Sequence, residues 1–118
     1  MKTRSFKDLI VRQKAYRLVL EVYKITKTFP RHETYGLTQQ MRRAAVSIPS
    51  NLAEGAARAG KKEYAHFISI ARGSLSELDT QMKIAEMLGY TEDMTELYEK
   101  MSQVGRLLTG MHRKWNEP

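Results

Sequence analysis

The sequence predicts an all-α fold, an antiparallel up-and-down four-helix bundle. Three observations carry that expectation. Apolar residues recur at alternating steps of three and four along four successive segments. Each of the first three segments runs into a proline or glycine, and the connections between segments are short. Little in the chain reads as strand. At 118 residues the chain suits a single domain spanning 1–118, large enough to bury a core without disulfide staples.

Helix one is expected from about Lys7 to Thr28. Its stripe is Val11, Ala15, Leu18, Val22, Ile25 and Phe29, and Pro30 ends it because the residue before a proline is pushed out of the helical region. Helix two is expected from about Thr34 to Ala59, with the stripe Leu37, Met41, Ala44, Ile48 and Leu52. Pro49 interrupts it. Proline lacks an amide hydrogen, and its ring meets the carbonyl of Ala45, so the chain must kink near Ile48 or break into two helices. The stripe keeps its phase from Met41 to Leu52, which favours the kink. Gly60 punctuates the end.

Helix three is expected from about Lys62 to Leu88, with Tyr64, Ile68, Ala71, Leu75, Leu78, Met82 and Ala85 in an unbroken seven-residue repeat closed by Gly89. Helix four is expected to begin with Thr91 as its N-cap and Glu92 and Asp93 in its first turn, where acids favour the helix dipole. Its stripe is Met94, Leu97, Met101, Val104, Leu108, Met111 and Trp115. A helix of about 25 residues is roughly 38 Å long, so the bundle should be elongated. Helices one and three carry further apolar rows, Tyr16, Leu20 and Tyr23 on one and Phe67, Ile70, Ile84 and Leu88 on the other. A bundle helix buries one stripe, so the surplus points to self-association.

The composition narrows the function. With no cysteine, disulfides and thiolate metal sites are excluded. No apolar run approaches the roughly 18 residues of a membrane span, and the stretch from Met1 to Asp8 lacks the apolar centre of a signal peptide. The expectation is a soluble, cytoplasmic protein. The net charge of +7 is unevenly placed. Residues 1–59 hold 12 Lys/Arg against 4 Asp/Glu, whereas residues 60–118 hold 8 against 9. A one-sided basic field attracts polyanions such as RNA, DNA or an acidic protein.

Several apparent sites fail on inspection. Residues Gly55 to Lys62 match most of a phosphate-binding P-loop, but Lys62 stands where Ser or Thr should hold magnesium, and the run follows a helix instead of a strand. Glu63 and His66 form one Glu-x-x-His pair where a di-iron bundle needs two pairs and two more glutamates. No serine has the setting of a nucleophile. The chain is therefore read as no enzyme, with neither metal nor cofactor.

Arg42 and Arg43 admit two readings. They bind phosphate, or they pair with carboxylates such as Glu54, Glu77 or Asp79, within or between subunits; the ion pair is favoured. Arg43, Ser47, Ser50 and Glu54 are spaced four, three and four apart and share a face. Ser47 and Ser50, flanking Pro49, are expected to bond backbone carbonyls freed by the proline or to pack where bulk is forbidden. For a nucleic acid the better candidates are Lys7, Lys14, Arg17, Lys24 and Lys27 of helix one, with Arg4, Arg12 and Arg31 in support. No aromatic sits among them as a stacking platform, so contact should be to the nucleic-acid backbone with little sequence preference.

The runs Tyr35-Gly36-Leu37-Thr38, Gln40-Met41-Arg42-Arg43-Ala44-Ala45-Val46-Ser47-Ile48-Pro49-Ser50-Asn51-Leu52-Ala53-Glu54-Gly55 and Phe67-Ile68-Ser69-Ile70-Ala71-Arg72-Gly73-Ser74-Leu75-Ser76-Glu77-Leu78 resemble the bacterial four-helix-bundle family of ribosomal-RNA intervening-sequence proteins. Phe6-Lys7-Asp8-Leu9 and Thr28-Phe29-Pro30 fit as well, and Leu52 departs from the usual isoleucine. The resemblance implies a cytoplasmic bacterial protein assembling as a ring, a homopentamer. The family's name reflects genes inside intervening sequences of large-subunit ribosomal RNA, a genomic location. Its fold is similar to that of retroelement accessory variability proteins, pentameric barrels that bind a reverse transcriptase and nucleic acid. The function expected is thus a non-enzymatic homo-oligomer that binds RNA or an RNA-containing complex. The alternative is a protein-binding scaffold or accessory subunit of a polymerase or reverse transcriptase.

Overall fold

The computed structural model describes residues 6–118, which form α1 (Phe6–Thr26), a 3-10 turn (Arg31–Glu33), α2 (Leu37–Ala57), α3 (Lys61–Met87) and α4 (Thr95–Trp115). The helices make a four-helix bundle measuring 46 × 25 × 20 Å. Each packs against two others, in the cyclic order α1, α2, α3, α4 and back to α1. Lys14 of α1 meets Gln103 of α4, and Tyr64 at the start of α3 meets Trp115 at the end of α4, so sequential neighbours run antiparallel. Arg4 lies outside the described residues.

The stripes read from spacing are the core. Val11, Leu18 and Val22 of α1, Met41, Ile48 and Leu52 of α2, Tyr64, Ile68, Leu78 and Met82 of α3, and Leu97, Val104 and Leu108 of α4 are fully buried. Each large side chain removed from water in this way contributes roughly 1.5–3 kcal/mol relative to leaving it exposed. The second rows stay outside except for Phe67, which is half-buried where α3 meets Gly55 of α2: Tyr16, Leu20, Tyr23, Ile70, Ile84 and Leu88 are exposed, with Leu20 at 70%.

The helix ends differ from the sequence expectation where side-chain bonds decide them. Helix four starts at Thr95, not beside Thr91. The Asp93 carboxylate accepts the Thr95 amide at 3.0 Å, while the Thr91 hydroxyl turns to the Met94 sulfur. Glu92 and Asp93 therefore precede the helix, and Glu96 is the acid of its first turn. Helix two starts at Leu37, three residues later than expected, because residues 31–33 wind into their own turn and the Glu33 carboxylate accepts the Leu37 amide at 3.0 Å. The end of α3 matches: Gly89 takes φ +76°, its amide bonds Glu86 and the Tyr90 amide bonds Ala85, a Schellman closure that needs a residue at ease in the left-handed region.

The helix carrying Pro49 runs unbroken from Leu37 to Ala57, so it does not divide there. Ser47 does not serve as a carbonyl cap. Its hydroxyl bonds that of Ser74 across the α2–α3 contact at 2.8 Å, and the Asn51 amide donates to both the carbonyl and the hydroxyl of Ser47. Ser50 is exposed.

The closest fit lies between α2 and α3. A Cβ on Gly55 would stand 2.8 Å from the Phe67 Cβ and 2.8 Å from the Tyr64 ring, inside any tolerable contact. The residue that opened the apparent P-loop is thus a helix-packing glycine. Gly55→Ala should lose about 1–3 kcal/mol in urea denaturation, as an overpacked core does. Gly73→Ala, at a helical position with nothing within 4 Å of the added carbon, should gain about 0.5–1 kcal/mol.

Candidate nucleic-acid interface

The basic side chains of α1 fall into rows fixed by helical spacing. Lys7 and Lys14 are seven residues apart, as are Arg17 and Lys24, and at 100° per residue the two rows are neighbours on the surface. Lys7, Arg17 and Lys24 are exposed and Lys14 is half-buried. The Lys14 ammonium reaches Gln103 of α4 at 3.4 Å. Lys7 lines a cavity of about 280 Å³ between α1 and α4 together with Arg106 and Lys114. The seam between these helices therefore gathers three cations around the buried Asp8 at the end holding the start of α1, with Lys14 a fourth further along it. Arg106 and Lys114 join the set only through the packing of α4 on α1, which no spacing within one helix reveals.

The row is not basic throughout. Glu21 follows Lys14 at the next seven-residue step, and Lys24 lies close enough to Glu96 of α4 to help hold its carboxyl below the usual range, behind the larger effect of Lys100. Lys27 sits past the helix end, in the turn. Arg12 is half-buried and Arg31 is exposed on the 3-10 turn.

Arg42 and Arg43 form no ion pair among the described residues, contrary to the favoured reading as far as a single chain is concerned. Glu54 bonds Arg58 one turn on along its own helix, and Asp79 bonds Lys83 in the same way. Glu54 is eleven residues from Arg43, roughly 16 Å along the helix, too far for a direct pair. Glu77 is exposed on α3. Arg42 turns instead toward α1. Its Nε donates to the Thr26 hydroxyl at 2.8 Å, and its guanidinium lies 4.5 Å from the centre of the Tyr23 ring. Arg42, Arg43, Tyr23 and the 88% exposed Tyr35 line a cavity of about 490 Å³ between α1 and the start of α2. Spacing along α1 places no aromatic among its cations as a stacking platform. Folding brings two tyrosines to the arginines of α2.

The wall carrying Tyr35 is tied down from the opposite corner of the bundle. Glu33 accepts the Tyr90 hydroxyl at 2.6 Å on one carboxylate oxygen and the Leu37 amide on the other. Tyr90 packs on Phe29 with ring centres 5.4 Å apart. The Tyr90 bond first, then the Leu37 bond, hold the Glu33 carboxyl below its ordinary value, and the same bond raises the Tyr90 hydroxyl.

A family model described as 23S rRNA-intervening sequence protein matches residues 7–110. The chain belongs to that family. Its fold is also that of a solved structure, a protein of unknown function from the S23 ribosomal protein family of Bacteroides thetaiotaomicron VPI-5482, with a TM-score of 0.83 at 15% identity over 92% of this chain and 99% of that one. No curated protein matches the chain. Neither the family description nor the solved relative indicates an enzyme. Among the described residues no three His, Cys, Asp or Glu side chains converge as metal ligands, and no helix is long and apolar enough to cross a membrane. Glu63 and His66 are exposed; Glu63 approaches Arg58 at 3.9 Å and His66 packs edge-on against Phe67.

The Glu33 contacts carry a signed pH dependence. A carboxyl whose folded pKa is depressed stabilises the fold in full above its unfolded pKa, and that stability is lost as pH falls through the folded value. Glu33→Gln should therefore flatten the fall in stability below the ordinary glutamate value of 4.5, measured as thermal midpoints across the acid range.

Proposed function

We propose that this protein is a non-enzymatic, self-associating bundle of the cytoplasm that binds RNA or an RNA-containing complex through its basic surface. The observation that carries the reading is the gathering of Lys7, Lys14, Arg106 and Lys114 along the α1–α4 seam, with Arg17 and Lys24 in the adjoining row. Cations on a rigid helical frame neutralise phosphates by counterion release, a contact that needs no base recognition. The excess of positive charge in the first half of the chain acts in the same direction.

Self-association is supported by the exposed apolar rows. Tyr16, Leu20 and Tyr23 on α1 and Ile70, Ile84, Met87 and Leu88 on α3 stand on separate helices, so one copy offers two different apolar surfaces. Two unlike surfaces suit head-to-tail contact, which gives a ring where the rotation closes and a filament where it does not. The homopentamer follows from the family resemblance, with Arg43, Ser50, Glu54 and Glu77 on outward positions available to subunit contacts. Tyr16, Leu20, Val46 and Pro49 line an apolar groove of about 480 Å³ on the α1–α2 face. That groove favours a second reading, a scaffold or accessory subunit of a polymerase or reverse transcriptase.

Binding of the full chain to a fluorescent RNA should weaken steeply with salt and disappear when Lys7, Lys14, Arg17 and Lys24 are reversed to glutamate. Lack of binding by the unaltered protein at low salt would rule the reading out. Light-scattering mass should exceed that of the monomer. A protein partner retained after nuclease treatment would favour the scaffold instead.

A further inference from the structure

The α1–α2 cavity is distinct from the α1–α4 seam, and its lining has a different chemistry. It combines two guanidinium groups, two phenol rings and the side chains of Thr38 and Gln39, with no acidic residue among them. At about 490 Å³ it lies within the roughly 300–1,000 Å³ typical of small-ligand sites.

Arg42 is held ready for an anion. Its Nε is fixed by Thr26, a buried residue whose own hydroxyl donates to the Val22 carbonyl at 2.8 Å. The guanidinium carbon lies over the Tyr23 ring. A guanidinium has five N–H donors, and the bond to Thr26 employs one, so the four on the terminal nitrogens face no competing carboxylate among the described residues. Ordering the fork in advance removes the entropy that a free arginine loses on binding. Arg43 follows it in sequence, exposed on the same rim and likewise without an ion pair among the described residues.

Tyr35 supplies what a bare phosphate would not require. Its ring is 88% exposed beside a cavity mouth, in the short link between the 3-10 turn and α2. That link is pinned at Glu33 to Tyr90 and to Leu37, so the ring projects from an anchored base. An exposed aromatic face next to arginines free of carboxylate partners among the described residues is the composition of a single-strand site, where a base stacks and its phosphate is clamped.

We propose that this cavity binds one unpaired nucleotide of a single-stranded RNA, with the phosphate between Arg42 and Arg43, the base stacked on Tyr35, and the Gln39 amide within the site to hydrogen-bond a base edge. The assignment rests on the RNA reading above and deepens it. The α1–α4 seam attracts the backbone, and the α1–α2 cavity selects unpaired strands. Carboxylates of a second copy would satisfy the arginines but would leave the exposed tyrosine ring without a role.

The test is fluorescence anisotropy of the full chain with labelled oligouridylate and oligothymidylate hexamers and a blunt RNA duplex. Tyr35→Ala should weaken hexamer binding by about 5- to 150-fold, the range of one stacked base, while Tyr35→Phe, which keeps the ring, should not. Arg43→Gln should weaken it and lower the salt slope by about 0.7. The ribo-hexamer should bind more tightly than the deoxy-hexamer, and duplex affinity should be indifferent to Tyr35. Equal hexamer binding by all three variants would overturn the pocket while leaving RNA binding at the seam intact, which the reversal of the α1 cations reports independently. A preference for the deoxy strand would overturn the RNA assignment. A change of solution mass in Tyr35→Ala or Arg43→Gln, with hexamer affinity unchanged, would overturn the pocket in favour of a subunit contact. Lack of binding to every probe by the unaltered protein would overturn both readings.

Discussion

The contact between α2 and α3 governs much of what the rest of the molecule can do. Gly55 has no side chain because Phe67 and Tyr64 occupy the space one would need. Two turns earlier, Ser47 faces Ser74 at hydrogen-bond distance, where larger residues would hold the helices apart. Interiors are packed too tightly to absorb an added methyl without shifting neighbours. The small residues of α2 are therefore set by an approach distance. Helix propensity alone would not choose serine or glycine at these points.

That close approach also explains how a proline sits in the middle of α2. Pro49 forfeits one backbone bond, yet the helix remains continuous because packing on both sides over-determines its path. Ile48 and Leu52 are buried in the shared core on either side of the proline. The polar cluster of Ser47, Asn51 and Ser74 fastens α2 to α3 at the same level. With its inner face in the core and one flank against α3, α2 turns Arg42 to its α1 flank and leaves Arg43 and Glu54 exposed. Arginine and glutamate that look like partners in the sequence are separated by the helix's own rise.

Periodicity made the fold legible, and its limits lie at the helix ends and in the site. Stripes such as Val11, Ala15, Leu18 and Val22 depend only on the chain's own repeat, so they can be read without knowing the neighbours. The start of α4 could not be read in the same way. Thr91 and Asp93 are both good cap residues, and the Asp93 carboxylate captures the Thr95 amide while the Thr91 hydroxyl meets the Met94 sulfur. In the sequence Glu33 reads as part of a polar connection; its grip on Tyr90, 57 residues away, has no local signature. The cations of α1 were legible one by one, whereas their company with Arg106 and Lys114, and that of Arg42 with Tyr23 and Tyr35, exists only in the packed bundle.

The same packing gives the charge imbalance a direction. Because the helices alternate, the turn between α1 and α2 and the turn between α3 and α4 lie at one end of the bundle, joined by the bond from Tyr90 to Glu33. The first carries Lys24, Lys27, Arg31, Arg42 and Arg43 on and around it against Glu33; the second carries Glu86, Glu92, Asp93 and Glu96 against Lys83 and Lys100. Opposite charges set side by side on one end make a field that runs across the bundle, not along it. A field of that sense favours an anion at the α1–α2 corner over the adjoining α3–α4 corner, which the Tyr90–Glu33 bond brings into contact with it. A second copy can set its acidic corner against the basic corner of the first, which is a head-to-tail contact and not a two-fold one. Under the proposed function, self-association through that corner would compete with anion binding for the same cations, whereas assembly through the apolar rows would leave the α1–α2 cavity open. The exposed leucine, isoleucine and tyrosine rows offer the larger apolar area for subunit contact, and apolar area, more than surface ion pairs, sustains stable assembly.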